Sequence, residues 1–419
     1  MQDRRWQGCI PFGRSVWPTG NNHCYAGRDG VKGRTYQNGT LDSAAQGHFS
    51  RAVCSTTVSR RAALGLLGAA AVVACSAPGK ARPKGPSLGF NLIDWECAEG
   101  EDKRWIRAIR EVRSIGVRRI TIIPYWFADP AVGTVYQTSQ YSSPCGPSEE
   151  AIAQAIAYGR KQGMRVAVKP MVEIDDDREL GDVWRGSMEL REDQYSEFFA
   201  TYQDYVLAMA EVAREAGAHE FYIGSELASL TEPETTLPYW LDLIAETRKL
   251  FPGGKRRLGY AANYDEFEQV RFWEHLDTIG IDAYFPLATK AEAFGAGNPT
   301  TTTMIGHWLN RFRELRAFAQ ALNRPIVFSE FGLIPYDEAS TEPWNWRPDT
   351  LGYNGVQSEF DPDEQMHAMQ ALLIAMRSEG DWLEAIEFWH WQLPESEGSL
   401  YNINKHTPIG KLIAQYAGA

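Results

Sequence analysis

From residue 88 onward the sequence predicts an α/β protein with a single (β/α)8 barrel (a TIM barrel) and extended loops after its second and seventh strands. Short apolar runs alternate with amphipathic helical segments eight times, and strict alternation indicates a parallel sheet with right-handed crossovers. Several helical segments end on glycine just before the next strand, as C-caps with left-handed backbone require: Gly116, Gly163 and Gly217. A doubly wound open sheet is the alternative, but no GxGxxG follows the first strand, which argues against a dinucleotide fold.

The first four units each join an apolar strand to a helix. LGFNLIDW precedes WIRAIREVRSIG, whose apolar residues recur at helical spacing, and the β-branched VRRITIIPYWF precedes the helix EEAIAQAIAYGRKQG after a long loop over 128–147. MRVAVKPMVEI precedes the longest helix, and AHEFYIGSE precedes LPYWLDLIAETRKLF. The predicted strands are 88–95, 117–127, 164–174 and 218–226, and the predicted helices are 105–116, 149–163, 191–217 and 237–251.

The last four units repeat the pattern. RRLGYAANY precedes DEFEQVRFWEHL, which reads as mostly helical, and DTIGIDAYFPL precedes WLNRFRELRAFAQALN. RPIVFSEFG is followed by a second long loop over 333–360, and LEAIEFWHWQL precedes the closing helix. The predicted strands are 256–264, 277–287, 324–332 and 383–393, and the predicted helices are 265–276, 308–323, 361–380 and 408–418.

The segment before the barrel predicts export and lipid anchoring. In residues 58–75, Arg60 and Arg61 precede a short apolar stretch that ends in VVAC. This is the order of a bacterial lipoprotein signal, with Cys75 as the lipid-accepting residue. The pattern SRRxxL is also typical of twin-arginine export. A buried Ala/Leu helix is the alternative. Residues 76–87 are expected to be a linker, and residues 1–57, which have no periodicity, an untranslated or disordered leader. We expect a protein anchored to the bacterial cell envelope, periplasmic or at the cell surface.

Cysteine usage and charge narrow the function classes. Within the barrel only Cys97 and Cys145 remain, in loops expected to be neighbours, so they are a disulfide candidate, with two inert thiols as the alternative. Neither has metal-site spacing, and no metal or organic cofactor is expected.

The charge of the chain is unevenly distributed. Residues 1–87 hold twelve Lys/Arg and three Asp/Glu, which leaves a charge of −21 on residues 88–419. So acidic a barrel argues against nucleic acid as a partner and suits a monomeric protein that handles neutral substrates.

The predicted strands end in polar and aromatic residues. Active sites of this barrel are built at the carboxyl ends of the strands, so these residues are expected to share one mouth. The 14 Trp residues suggest rings that stack on flat ligands, although a large core would also use them. The candidate binding residues are Trp95, Trp126, Lys169, Asn263, Tyr284, Trp389 and Trp391.

Two of the strands end on a glutamate, Glu226 in FYIGSELASL and Glu330 in PIVFSEFGL. The fourth and seventh strands face each other across an eight-stranded barrel, so both carboxyl groups can flank one bond. Retaining glycosidases use such a pair about 5–5.5 Å apart, one as nucleophile and one as acid/base with a raised pKa. A structural ion pair is the alternative for each glutamate alone. The sequence therefore predicts catalysis by Glu226 and Glu330.

These strand ends resemble known enzymes. GSE and SEFG, three βα units apart, are similar to the catalytic strands of clan A glycoside hydrolases, and GSELASLT (224–231), VAVKPMV (166–172) and DAYFPL (282–287) resemble glycoside hydrolase family 113. The resemblance spans residues 88–417. It implies a retaining enzyme that cleaves β-1,4-mannan, with Glu226 as acid/base and Glu330 as nucleophile. It also implies that Tyr284 orients Glu330, that Lys169 is a subsite donor and that Trp389 or Trp391 is a sugar platform.

Three features depart from that pattern. Ser225 stands where most clan A enzymes carry Asn, Met171 stands where the family tends to carry His, and the loop over 333–360 is longer than usual. The long loop is expected to close one end of the cleft and to favour cleavage at chain ends. The leading expectation is a lipid-anchored hydrolase acting on β-linked oligo- or polysaccharides, and the alternatives are a non-catalytic glycan-binding lipoprotein and an envelope assembly factor.

Overall fold

The computed structural model describes residues 85–95, 101–139, 146–175, 183–295, 298–353, 356–393, 400–401 and 403–418. The predicted leader, the signal segment with Cys75, most of the linker, and Cys97 and Cys145 lie outside the described residues. Those predictions therefore stay predictions. No helix in the described part of the chain combines the length and apolar character needed to cross a bilayer.

Eight parallel strands close into a barrel, which confirms the predicted fold class. The last strand, Ala385–Phe388, pairs with the first, Ser87–Leu92, and the first pairs with the second, Arg119–Ile122, so the sheet has no free edge. Phe90 of the first strand lies opposite Phe388 on one side and Ile120 on the other. The barrel strands are β1 Ser87–Leu92, β2 Arg119–Ile122, β3 Arg165–Val168, β4 Glu220–Ser225, β5 Arg257–Asn263, β6 Thr278–Asp282, β7 Ile326–Glu330 and β8 Ala385–Phe388.

Seven helices of ten or more residues lie among the described residues. At several of their first turns a short polar side chain accepts a hydrogen bond from a backbone N–H group. Examples are Ser148, before the helix that begins at Glu149, and Thr300, before the helix that begins at Thr301. The glycines predicted to end helices do so with left-handed backbone, at φ 90° (Gly116), 72° (Gly163) and 87° (Gly217). The helices are α1 Glu101–Ser114, α2 Glu149–Lys161, α3 Tyr195–Ala216, α4 Leu237–Leu250, α5 Thr301–Leu322, α6 Pro362–Glu379 and α7 Pro408–Ala417.

Two strands predicted as continuous are each split by a proline. Pro124 separates β2 from the strand Tyr125–Asp129, and Pro170 separates β3 from the strand Met171–Ile174. Proline has no N–H to donate to a sheet ladder, so the barrel pairing stops at that point. The outer pieces pair with each other in parallel and, with Thr134–Tyr136, form a three-stranded side sheet. The predicted extended loop after the second strand is thus partly a hairpin.

The helix predicted over 265–276 is wrong. This fully described segment forms consecutive turns and a 3₁₀ turn at Trp273–His275. The buried carboxylate of Glu266 accepts hydrogen bonds from the Tyr260 hydroxyl (2.7 Å), the Thr231 hydroxyl (2.7 Å) and the backbone N–H of Asn263 (2.9 Å). These contacts hold the turn against its neighbours, and such tertiary contacts outweigh helix propensity.

The lower interior of the barrel is ionic. Arg119 of β2 is buried between Glu220 of β4 and Glu387 of β8, and Thr121 also donates to Glu387. The ring of Tyr222, also on β4, lies in the same interior, and Gly259 and Gly280 leave room for it. A β-carbon at Gly259 or Gly280 would come within 3.0 or 2.9 Å of a carbon of that ring.

Candidate active site

The two predicted catalytic acids both lie at the carboxyl ends of the strands. Glu226 directly follows β4, Glu330 is the last residue of β7, and they are 7% and 4% exposed. The backbone of Glu226 is left-handed, at φ 53°, and its N–H donates to the carbonyl oxygen of Ala261 at 2.8 Å. Positive φ is uncommon outside glycine and is typical of strained positions at functional sites. The structure thus brings both carboxyl groups to the predicted mouth.

Glu330 has a donor at each carboxylate oxygen. The Lys169 ammonium contacts Oε1, and the Tyr284 hydroxyl donates to Oε2 at 2.6 Å. All three groups are buried. A cation and a phenol that donate to separate oxygens favour the ionised form of a carboxyl group. The predicted contact between Tyr284 and Glu330 is therefore present.

Glu226 has a different set of partners. Trp184 Nε1 and Arg185 Nη1 both donate to Oε2, at 3.1 and 2.8 Å, and Arg185 also pairs with Glu173. In the described part of the chain, no donor contacts Oε1 of Glu226. Of the four carboxylate oxygens in the pair, this one has room for a proton.

Sequence reasoning missed Trp184 and Arg185. They lie in and just before a short 3₁₀ turn, Arg185–Ser187, in the loop between β3 and α3. A loop arginine has no periodic or spacing signal, because its contact depends on the path of the loop in three dimensions. The sequence showed no more than their residue types.

Lys169 is placed differently from the role that the family resemblance implied. Its ammonium is fully buried, in contact with Glu330 and 3.5 Å from Asp282. Asp282, also fully buried, in turn accepts a hydrogen bond of 3.0 Å from the hydroxyl of Ser225. Lys169 thus bridges two carboxyl groups beneath the mouth, and its nitrogen is not exposed as a sugar donor would be.

The charges of this cluster shift the pKa values of both catalytic candidates upward. Burial and then Asp282 raise the pKa of Glu226 to about 7, against the opposing charge of Arg185. Burial and then Asp282 also raise the pKa of Glu330; Lys169 opposes this rise and the charge of Glu226 adds to it. Four carboxyl groups, those of Glu173, Glu226, Asp282 and Glu330, thus share two cations, Lys169 and Arg185. This surplus of acid favours protonation within the cluster, and the donor pattern favours Glu226, whose Oε1 has no donor among the described residues, as the place of the proton.

The other predicted binding residues divide into two groups. Trp95 is 38% exposed and packs beside Tyr125, Trp126 is half-buried and stacks on Tyr205 at 4.6 Å between centroids, and Trp389 is half-buried with the Lys169 ammonium 5.8 Å from its ring centre. Rings of these three indoles therefore remain available to a ligand.

Trp391 and Asn263 are corrections. Trp391 is fully buried and packs edge-on against Phe90 in the core, so it cannot be a sugar platform. The side chain of Asn263 donates to Asp265 (3.0 Å) and accepts from the N–H of Tyr264 (2.9 Å). Its amide therefore shapes the turn after β5.

The long loop after β7 approaches the same mouth. Its Trp344, 39% exposed, stacks on Tyr264 at 5.0 Å between ring centroids, directly after the end of β5. The loop also contains one of the carboxylates of an acidic group made of Asp337, Asp361 and Glu364. Glu364 accepts the N–H groups of Glu338 and Ser340, and Asp361 caps α6, so two of the three acids have structural partners.

Comparison with known proteins agrees with this geometry. A sequence model of Glycoside Hydrolase Family 113 matches residues 101–406. A search of curated protein sequences finds no match. The chain is similar in structure to a GH113 β-1,4-mannanase in a complex, with TM-score 0.62 and 19% identity over 80% of this chain and 98% of that one. It is also similar to the GH113 β-mannanase AaManA of Alicyclobacillus acidocaldarius in complex with ManMIm, with TM-score 0.61 and 22% identity over 79% and 96%.

Proposed function

We propose, from the premise that this chain belongs to Glycoside Hydrolase Family 113, that it hydrolyses β-1,4-linked mannan or manno-oligosaccharides with retention of configuration. The chain is a glycoside hydrolase with a (β/α)8 barrel. In this proposal Glu226 is the acid/base and Glu330 the nucleophile. The observation that supports it most directly is the unequal hydrogen bonding of the two acids. Both oxygens of Glu330 accept from protein donors, whereas Oε1 of Glu226 has no donor among the described residues.

The reaction takes two steps. The Glu330 carboxylate attacks the anomeric carbon while the proton of Glu226 passes to the glycosidic oxygen, which breaks the carbon–oxygen bond and releases the first product. The sugar is then held as an ester of Glu330. Glu226, now a carboxylate, takes a proton from water as the water oxygen attacks the same carbon, and Glu330 leaves as a carboxylate.

The groups around Glu330 assist by fixing its charge and position. Lys169 and Tyr284 hold the two oxygens, so attack needs no rotation of the carboxylate. When the ester forms, Glu330 loses its negative charge, and Lys169 keeps Asp282 as a partner at 3.5 Å. The same lysine therefore serves both steps without an uncompensated buried charge.

The mannan preference is supported by the family and by the similar solved structures, whose names describe β-mannanases. At 19–22% identity these structures support the fold, and the sugar choice is a proposal. Half-buried indoles such as Trp389 and Trp126 offer flat apolar faces suited to the C–H surface of a hexose.

The test is turnover of a panel of β-linked manno-, gluco- and xylo-oligosaccharides by the full chain, with the first-formed anomer followed by NMR. We expect manno-oligosaccharides to be cleaved with a β-anomer product. Glu226→Gln should lose about 10²- to 10⁴-fold in kcat, and Glu330→Gln at least as much, while both keep sugar binding. An α-anomer would overturn the retaining mechanism, and binding without turnover by the parent chain would favour the glycan-binding alternative.

Azide separates the two roles. Azide should rescue a Glu330→Gly variant as the α-glycosyl azide, since azide enters in place of the nucleophile with one inversion. It should rescue Glu226→Gly, with an activated leaving group, as the β-glycosyl azide, since two inversions occur. The opposite pairing of azide products would reverse the assignment.

We also propose that the protein is exported and anchored through a lipid on Cys75, because the signal-like order of residues 58–75 supports it. The test is membrane fractionation and fatty-acid labelling of the full chain and of Cys75→Ala. Labelling that Cys75→Ala abolishes is the expected result, and equal labelling of both chains would contradict it.

A further inference from the structure

A basic cleft lies at the end of the barrel opposite the two glutamates. Its lining residues all directly precede strands or end a helix: Arg160 at the end of α2, Arg165 at the start of β3, His219 before β4, and Lys255 and Arg256 before β5. The cleft has a volume of about 590 Å³. That is ample for a tetrahedral oxyanion with a substituent, and nothing in the proposed hydrolysis uses it.

The charges of the cleft are one-sided. Four cationic side chains line it, and none of the acidic side chains that the structure describes does. Arg165 is paired with Glu220, but Lys255 and Arg256 have no ion pair with any described residue. These two are respectively exposed and half-buried in a turn. Residues 88–419 carry −21 overall, so the concentration of positive charge here runs against the average of the barrel.

His219 gives a second, independent indication of an anion. The N–H of Val166 donates to its Nδ1 at 3.0 Å, which assigns the proton of the neutral ring to Nε2. The Arg160 guanidinium contacts that same Nε2. Burial, Arg160 and Arg165 lower the pKa of His219 to about 4, so the ring is neutral at pH 7. The Arg160 guanidinium and Nε2 of His219 are therefore two N–H donors in contact, and an oxyanion beside them would accept from both.

We propose that this cleft binds a phosphate-type oxyanion through Arg160, His219, Lys255 and Arg256. The two sources of such a group are a phospholipid headgroup and free phosphate in solution, and the position of the cleft favours the headgroup. β1 begins at Ser87, so the predicted linker over 76–87 enters the barrel at this same end. The preference for a headgroup rests on the proposed lipid anchor on Cys75, because twelve residues span at most ~40 Å and would keep this end of the barrel within that distance of the anchor.

The test uses the full chain with Cys75→Ala, so that a lipid on Cys75 does not mask weaker binding. Binding is measured by co-sedimentation with vesicles of equal phosphatidylglycerol and phosphatidylcholine, and with phosphatidylcholine alone. A separate titration uses inorganic phosphate. The test variant is Lys255→Ala/Arg256→Ala, and Arg271→Ala/Arg313→Ala, which removes two exposed cations outside the cleft, is the charge-matched control.

Binding to the anionic vesicles should fall at least about fivefold in the cleft variant and stay near the parent value in the control, because each cation at an anionic surface adds to the attraction. The turn survives the substitution, since Gly253 and Arg256 pair through backbone atoms at 3.0 and 3.3 Å. Hydrolytic activity on a soluble oligosaccharide should be unchanged and so reports folding.

The outcomes distinguish a lipid headgroup from free phosphate as the anion that the cleft binds. Vesicle binding that depends on Lys255 and Arg256 supports a headgroup site. Binding of inorganic phosphate alone, with the same dependence, supports the anion site and excludes the membrane as its source. Equal binding by the cleft variant and the control, or no binding of either probe by the parent, overturns the proposal whether or not the chain proves to be a mannanase.

Discussion

At the scale of single residues, the assignment of catalytic roles depends on the donors around four oxygen atoms. Three of the four carboxylate oxygens of Glu226 and Glu330 accept from Trp184, Arg185, Lys169 or Tyr284. In the proposed mechanism, a proton on the fourth, Oε1 of Glu226, makes that residue the acid while Glu330 stays the nucleophile. Arg185, whose Nη1 lies 2.8 Å from Oε2 of Glu226, is then close enough to tune how readily Glu226 gives the proton up.

Arg185→Met should move the alkaline limb of the pH profile of kcat/KM to higher pH by about one unit. Arg185 lowers the pKa of Glu226, and an acid/base must be protonated to start the reaction, so removing the cation keeps the enzyme active to higher pH. The measurement is kcat/KM between pH 4 and 10. Arg191→Met, which removes an exposed partner of Asp193, is the control. A limb that stays in place or moves to lower pH would contradict the role of Arg185.

At the scale of elements, β4 must present Glu226 at a fixed angle, and Gly224 makes this possible. A β-carbon at Gly224 would lie 2.3 Å from the hydroxyl oxygen of Tyr202. That hydroxyl donates to the carbonyl of Ile223 at 2.7 Å, which ties α3 to the strand just before the glutamate. The close contact between α3 and β4 therefore requires glycine.

Gly224→Ala should lower the free energy of unfolding by about 1–3 kcal/mol through overpacking. Urea denaturation measures it. Gly306→Ala is the matched control, because a β-carbon at Gly306 meets nothing within 4 Å and the residue lies inside α5. That change should stabilise the protein by up to about 1 kcal/mol. Equal effects of the two substitutions would show that the contact with Tyr202 is unimportant.

The titration of Glu266, in the turn after β5, makes the stability of the protein depend on pH. Burial raises the pKa of Glu266 to about 7, against three hydrogen bonds that lower it. The folded protein therefore holds a proton that the unfolded chain releases near pH 4.5, so unfolding free energy falls as pH rises from about 4.5 to 7.

Glu266→Gln should remove that part of the pH dependence, about 3 kcal/mol at most. The measurement is the difference in unfolding free energy between pH 4.5 and 7.5, compared for the parent and the variant. Glu226 and Glu330 titrate in both proteins and cancel in the comparison. A decrease of the same size in both would mean that Glu266 stays ionised throughout.

At the scale of the whole molecule, the barrel separates two ionic clusters. The upper one, around Lys169, contains more acids than cations, whereas the lower one, around Arg119, joins β2, β4 and β8 across the interior. Buried ion pairs add little net stability when complete, but removal of one partner leaves an uncompensated charge.

Arg119→Met should therefore destabilise the protein by about 3–5 kcal/mol, since Glu387 loses its cation inside the barrel. Urea denaturation of the full chain measures the loss. Arg214→Met, which breaks pairs with the exposed Glu211 and Glu215, should cost less than about 1 kcal/mol. A loss for Arg119→Met as small as that of the control would show that Glu387 finds another partner or protonates without strain.

Most of the barrel, and the position of both glutamates, could be predicted from the sequence. The sequence-based prediction failed where contacts between distant residues determine the local structure. Pro124 and Pro170 divide two strands whose outer halves pair in a second sheet. The hydrogen bonds of Glu266 keep a segment with helical periodicity in consecutive turns. Trp391 shows the same limit at the site, because periodicity places it near the mouth but its packing against Phe90 buries it.

By itself, the sequence determined that eight βα units close into a ring and that two of their strands lead to a glutamate at the carboxyl end. Both facts follow from local periodicity and from the rule that parallel strands end at one face. Only the tertiary structure decided which donors surround each acid. Those donors are Lys169, Tyr284, Trp184 and Arg185, which come from three different parts of the chain and meet only when the barrel has closed.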